Sequence, residues 1–366
     1  MSWRDDLSAH ELREIFDRKI APTLTAGGAA ELHPSVVFVG AQPGAGKSRA
    51  IADVHSERPA AVPVIGDDFR AFHPDYRALM RTDPLAMPHV TAQASGAWVG
   101  MAADYLRAER RSVILETTMR QLPVVESTAA AFRTQGYRVE AHVLAVPGAV
   151  SALGTVSRYL GEAAGNDQNR WTPSTAHEAA YEAMPVTVEQ LVARGLVDRI
   201  TVATRAQGVL YDRTVTVDVA QAAAADARRA IEAGRSASAM TNREGRAWVR
   251  EFVVAAARVS HLPHVAEDLH ETMRRLSAAS NEIIRHTHEP ALRAAARESV
   301  AAAEIPAASS GRSTSKDHAR WWGVDGDHGP TRTPSEIAAR SAKDTEATTI
   351  AHDVAKNRDR GRGLDR

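Results

Sequence analysis

The 366-residue chain contains no cysteine. That absence excludes a disulfide scaffold, a thiol nucleophile and a Cys-ligated zinc site. Lysine is nearly as scarce: before Lys316 only Lys19 and Lys47 occur. Arginine carries almost all of the positive charge, and no function is read from that bias. Neither sign of charge prevails, with 45 Lys and Arg against 45 Asp and Glu. Nothing global therefore points to nucleic acid or to a membrane surface as partner. Aromatic residues make up only 5% of the chain, and much of the 44% hydrophobic content is alanine, which still allows a core. No uninterrupted apolar run reaches membrane length, and the opening Met1-Ser2-Trp3-Arg4-Asp5-Asp6 lacks the apolar stretch of a signal peptide. These absences predict a cytoplasmic protein with one large domain and a second unit.

What is present is organised around Val36-Val37-Phe38-Val39-Gly40-Ala41-Gln42-Pro43-Gly44-Ala45-Gly46-Lys47-Ser48. An apolar run enters a loop of Gly, Pro and Ala that leaves through a Gly-Lys-Ser triplet. From Ala41 the spacing is A-x-x-x-x-G-K-S, a phosphate-binding loop with Ala in place of its first Gly. Gly44 and Gly46 allow backbone N–H groups to turn toward phosphate oxygens, and the following helix presents its positive end. The whole stretch of Gln42, Pro43, Gly44, Ala45, Gly46, Lys47 and Ser48 is expected to hold ATP. Lys47 would reach the β- and γ-phosphates, and Ser48 would offer its hydroxyl to Mg²⁺.

The rest of the chain fits around that loop. Ser8 to Glu11 has the spacing of a capping box, followed by Leu12, Ile15, Phe16 and Ile20 on one helical face. Short strands are expected at Val36 to Val39, Val62 to Ile65, Ser112 to Leu115, Val139 to Val146 and Ile200 to Ala203, with helices between them. Pro63 marks the second as an edge or a strand start, and Gly136 reads as a helix C-cap. This alternation predicts a P-loop NTPase-type parallel sheet covered by helices on both faces. Ligands then sit at the carboxyl ends of the strands, where the loop, Asp67 and Glu116 all fall. The expected division is a kinase unit over 1–218, a helical extension over 219–305 and a disordered tail over 306–366. In the extension Trp248, Phe252, Ala256 and Val259 share a face, as do Val265, Leu269, Met273 and Leu276. Such stripes read first as helices covering the domain and second as a partner-binding unit. In the tail, Asp325-Gly326-Asp327-His328 reads as a solvated turn ahead of a metal site.

Nucleotide binding alone names no reaction. A kinase also needs a base at the acceptor hydroxyl and cations for the transferring phosphoryl. Asp67, just past a strand, is the natural base; a helix cap or a magnesium-binding pair are the other readings of Asp67-Asp68, with Asp68 the better cap. Glu116 is either a ligand or metal contact, or a cap. Arg158 and Arg170 flank the polar stretch Gly165-Asn166-Asp167-Gln168-Asn169, as cations do on a lid over a triphosphate.

Taken together, these stretches resemble the zeta toxin family, bacterial kinases paired with antitoxins. The resemblance rests on the phosphate loop, on Gly66-Asp67-Asp68-Phe69-Arg70 with His73-Pro74-Asp75-Tyr76, and on Glu116-Thr117-Thr118-Met119-Arg120. It continues through Leu153-Gly154-Thr155, Arg158-Tyr159, Arg170-Trp171-Thr172-Pro173 and His177, spanning roughly His10 to Asp212. It implies Lys47 and Ser48 on the triphosphate and Mg²⁺, Asp67 as base, and Arg158 and Arg170 on the γ-phosphate. Asp67, Glu116, Thr118 and Arg120 are implied to meet the acceptor. Characterised family members phosphorylate the 3′-hydroxyl of the amino sugar of UDP-N-acetylglucosamine, so a nucleotide-sugar acceptor and a small helical antitoxin are implied as partners. The chain departs from the family at three places. Ala41 replaces a Gly, Thr117 stands where Gly is frequent, and Ala97-Trp98-Val99-Gly100-Met101 lacks an acidic sugar-binding residue, with no acid until Asp104. The last departure leaves the acceptor open. A kinase for another small molecule or a polynucleotide stands second, and a nucleotide-gated binding protein third. The absence of a basic stripe counts against nucleic acid.

Overall fold

The computed structural model describes residues 3–25, 29–83, 86–161, 171–206, 208–262, 265–303 and 305. The expectations for Arg170, for the polar stretch before it and for the tail from 306 lie outside the described residues.

Ser8 and Glu11 form the reciprocal capping box that opens α1 (Ala9–Ile15). A π-helical turn over Phe16–Ile20 follows, then α2 (Ala21–Leu24). The wider turn keeps Leu12, Phe16 and Ile20 buried and leaves Ile15 only partly so. The chain then alternates through β1 (Ser35–Gly40), α3 (Lys47–Glu57), β2 (Val62–Val64), α4 (Gly66–Phe69), α5 (Tyr76–Thr82), α6 (Met87–Val90) and α7 (Ala92–Ala108). It continues with β3 (Val113–Thr117), α8 (Leu122–Thr134), β4 (Arg138–Leu144), α9 (Gly148–Tyr159), α10 (Ser174–Ala193), β5 (Arg199–Ala203) and β6 (Val209–Thr214).

The strands form one six-stranded sheet in the order β2-β3-β1-β4-β5-β6. The pairs from β2 to β5 are parallel, as the alternation of strands and helices predicts, and β2 with its Pro63 is an edge. The sheet adds one strand that the sequence did not mark, at the other edge, where β6 runs antiparallel to β5. A hairpin needs no crossover helix, so alternation could not reveal it. β6 is largely exposed, and its Asp212 pairs with Arg199 on β5 at 2.7 Å.

β1 is central and buried on both faces. Val36 and Phe38 point into the core under α1 and α7, while Val37 and Val39 pack with Ile51 and Val54 of α3. An apolar strand of this kind is the product of helices on both sides of a parallel sheet.

After β6 the chain is helical: α11 (Ala220–Arg235), α12 (Asn242–Ser260), α13 (Glu267–Thr287) and α14 (Pro290–Ala301). The stripes of α12 and α13 meet α9 rather than solvent. Trp248, Phe252, Val259, Leu269, Met273 and Leu276 form a separate core with Leu153, Val156 and Trp171. Among the described residues, no helix is long and apolar enough to cross a membrane.

Candidate functional site

The site starts at the end of β1. Gly44 and Gly46 both adopt positive φ, +75° and +97°, which a residue with a Cβ would hold only under strain. Gly44 also sits against α9: a Cβ there would lie 2.0 Å from the Ser151 carbonyl oxygen. The relation is reciprocal, since a Cβ on Gly154 would lie 2.5 Å from the Gly44 carbonyl oxygen. Two glycines thus let a helix backbone touch the loop. Beneath it Gln42, fully buried, donates through Nε2 to the Val146 carbonyl (3.0 Å) and to Ser151 Oγ (3.1 Å). Ser151 Oγ in turn lies 2.8 Å from His177 Nε2. Burial, aided by the charges of Arg235 and Lys47, pushes the His177 pKa down to about 4, so the ring is neutral at physiological pH.

Lys47 opens α3 and is buried. Its Nζ donates to the carbonyls of Ala41 (2.9 Å) and Gln42 (3.3 Å) and lies 3.7 Å from Glu116 Oε1. The parallel register places Glu116 beside Val39, one residue from the end of β1. Ser48 follows on the exposed first turn of α3.

The second wall comes from the end of β2. Asp67 and Asp68 lie inside the first turn of α4, whose N-cap position is Ile65 without a side-chain cap. Asp68 is therefore not the cap expected of it, because the helix already begins at Gly66. Asp67 Oδ1 accepts from Arg70 Nε at 3.0 Å, and Arg70 also donates to Thr91 Oγ1 (2.6 Å) and the Pro88 carbonyl (2.8 Å). Ser95 Oγ donates to the Gly66 carbonyl at 2.6 Å, tying α4 to α7. Of α7 it is Ser95 that reaches the cleft; Asp104 pairs with Arg107 at 2.7 Å and does not line it.

After β3 the chain turns sharply. Met119 takes a φ of +54° and is fully buried, with its N–H donating to Thr117 Oγ1 at 3.0 Å. Left-handed backbone at a non-glycine residue costs on the order of 1 kcal/mol. Here it buries Met119 against Gly40 and leaves Thr118 and Arg120 at the cleft. Burial lowers the Arg120 pKa from its ordinary value.

These walls enclose a cleft of about 500 Å³, closed on its third side by Arg158 of α9 and by Trp171, Thr172 and Ala176. Lys47, Ser48, Asp67, Glu116, Thr118, Arg120 and Arg158 all line it, with Pro43, Gly44 and Gly46. Gln42 and Ala45 turn their side chains away beneath the loop. Four cations (Lys47, Arg70, Arg120 and Arg158) and three carboxylates (Asp67, Asp68 and Glu116) share the space. Such a set suits a polyanion held next to a proton acceptor. Among the described residues, no group of three or more His, Asp or Glu could hold a metal by itself.

Residues 24–216 match the family described as Zeta toxin. The chain belongs to the zeta toxin family. It is 28% identical to Toxin zeta of Enterococcus hirae over 211 residues, which is 56% of this chain and 73% of that protein. To Toxin zeta of Streptococcus pyogenes it is 29% identical over 199 residues, 54% of this chain and 69% of that one. Its structure resembles a chain from the PezAT chromosomal toxin–antitoxin system of Streptococcus pneumoniae, with a TM-score of 0.50 and 25% identity. That likeness covers 59% of this chain and 88% of the other.

Zeta toxins are ATP-dependent kinases, and the cleft lined by the phosphate loop falls within the matched segment. Two residues from beyond residue 216 make contacts at the zeta toxin site. Arg235 of α11 lies over the Tyr181 ring at 3.9 Å and reaches Gln42 Oε1 at 3.5 Å, and Asp268 of α13 bonds Trp171. The sequence reading missed both, since neither lies near a motif. It also left Arg70 without a role, although its spacing three residues after Asp67 on a helical turn was a usable signal.

Proposed function

We propose that the chain transfers the γ-phosphoryl group of ATP to a sugar hydroxyl of a nucleotide sugar such as UDP-N-acetylglucosamine. The observation that supports this reading most is that Lys47 and Asp67 line one cleft from opposite walls. Asp67 accepts the proton of the acceptor hydroxyl as its oxygen attacks the γ-phosphorus. The bond from that phosphorus to the β–γ bridging oxygen breaks, and ADP leaves. Lys47, Arg158 and Arg170 neutralise the charge on the transferring group, and the loop backbone holds the phosphates. Mg²⁺, held with Ser48, would screen the β- and γ-phosphates. Glu116, Thr118 and Arg120 bind the acceptor.

The cations Arg70 and Arg120, which line the cleft with Asp67, favour an acceptor that itself carries phosphate, as a nucleotide sugar does. The α7 residue that lines the cleft is Ser95, a neutral group, and no acid stands between Ala97 and Met101 to hold the sugar. The likeness to a chain of a toxin–antitoxin system supports a small antitoxin protein as partner. The test is ATP consumption with and without UDP-N-acetylglucosamine, with the product weighed by mass spectrometry. A nucleotide sugar heavier by one phosphate is expected. Consumption supported only by a different acceptor would replace the substrate, and none with any acceptor would end the kinase reading.

A further inference from the structure

α10 begins at Ser174 with Pro173 at its N-cap position and no side-chain cap of its own. The first N–H groups of a helix need acceptors, and local Ser, Thr, Asn or Asp usually supply them. Here the acceptor comes from α13. Asp268 Oδ2 accepts from the Ser174 backbone N–H at 3.1 Å and from the indole Nε1 of Trp171 at 2.8 Å, while Oδ1 accepts from Ser174 Oγ. One carboxylate thus ties a wall of the cleft to a helix outside the matched family segment.

The tie extends to a cleft arginine. Trp171 packs edge-on against Tyr159, with ring centroids 5.6 Å apart, and Tyr159 directly follows Arg158. On the other side of Arg158, Ser157 Oγ donates to Glu251 Oε1 of α12 at 2.7 Å. At the start of α9, Trp248 Nε1 donates to the Ala149 carbonyl at 3.1 Å. The helical extension therefore grips the Arg158 helix at both ends and the start of α10 through Asp268.

We propose that Asp268 is a positioning residue for the phosphoryl-transfer site, fixing Trp171 and the start of α10 against Arg158. This rests on the kinase reading of the cleft. A carboxylate drawn toward a helix N-terminus and an indole N–H is held in one geometry by three directional bonds, which apolar packing would not impose. The extension is then part of the working site rather than a cover for it.

The test uses the full chain with Asp268→Ala, Asp268→Asn and, as a packing control in the same helix, Ile284→Ala. Asp268→Asn can keep every contact: its amide oxygen accepts from both N–H groups and its NH₂ donates to Ser174 Oγ. Single-turnover phosphoryl transfer, affinity for a non-hydrolysable ATP analogue and hydrogen exchange over 171–177 are read together. Asp268→Ala should slow transfer about 10- to 100-fold, the scale of a misplaced wall. Analogue affinity should stay within about threefold, because the phosphate loop is untouched. Exchange over 171–177 should speed up, and the protection added by the analogue should be lost. Asp268→Asn should match the wild type, and Ile284→Ala should lower Tm with neither change. Unaltered exchange in Asp268→Ala, faster exchange with an unaltered transfer rate, or equal damage in Asp268→Asn would each overturn the proposal. A wild type that transfers no phosphate to any acceptor would instead overturn the kinase reading, leaving the analogue-dependent protection to judge Asp268.

Discussion

Lys47 Nζ lies 3.7 Å from Glu116 Oε1, with both side chains largely shielded from water. Read along the chain, the two residues have separate tasks, one on the triphosphate and one on the acceptor. The β1–β3 register joins them, and the carbonyls of Ala41 and Gln42 complete a fixed seat for the ammonium group. A cation already oriented in this way loses little freedom when phosphate arrives.

Lys47→Ala should therefore weaken binding of an ATP analogue at least about tenfold, the scale of one charged hydrogen bond. It should also destabilise the fold, because the part-buried Glu116 loses its nearby positive charge. Adding Glu116→Gln to Lys47→Ala should restore part of that stability, about 1 kcal/mol, and none of the affinity. Calorimetric titration and thermal melts of the four proteins check both statements. Additive stabilities would show that the pair is not coupled.

Gly154→Ala tests the contact between α9 and the loop. Its methyl group would meet the Gly44 carbonyl oxygen at 2.5 Å, a backbone atom that cannot swing aside. The loop must shift, and nucleotide affinity should fall about tenfold or more. Gly136→Ala is the comparison, since a Cβ at Gly136 meets nothing within 4 Å and sits far from the loop in the β3–β4 connection. It should cost stability through its positive φ of 77° while leaving affinity unchanged.

His177 sets a pH dependence of stability. Its pKa is about 4 in the folded chain against an ordinary 6.5, so below pH 6.5 the unfolded chain takes up a proton that the folded one refuses. Its contribution is full above pH 6.5 and is lost as pH falls from there toward 4. Between pH 7.5 and 4.5 the wild type should lose about 2 kcal/mol more than His177→Gln, whose amide stays neutral. Denaturant titrations at the two pH values measure the difference. Equal losses would mean that folding leaves the His177 pKa at its ordinary value.

Features set by neighbours in sequence were legible from the residues. The strand and loop through Ser48, the capping box at Ser8 and Glu11, and the helix end at Gly136 all follow from local spacing. The family itself was legible because several motifs stand in order. The π-turn at Phe16–Ile20 was not, since it satisfies packing rather than periodicity. β6 was missed because its apolar run, Val209-Leu210-Tyr211, is cut after three residues by Asp212 and Arg213. The pairing of Asp67 with Arg70 is local, three residues apart on one turn, whereas the bond from Asp268 to Trp171 depends on where helices dock and spans 97 residues.

The proposed phosphoryl transfer stands or falls with Asp67 taking the acceptor proton. Single-turnover transfer at saturating ATP, compared for wild type, Asp67→Asn and Asp68→Asn, tests it most directly. Asp67→Asn keeps the side-chain shape and an oxygen for Arg70, but it cannot accept a proton at neutral pH. Transfer should fall roughly 10²–10⁴-fold in Asp67→Asn, with analogue affinity little changed and Asp68→Asn close to wild type. Transfer retained in Asp67→Asn, or lost only with Mg²⁺ and ATP affinity, would contradict it and place that carboxylate on the metal instead.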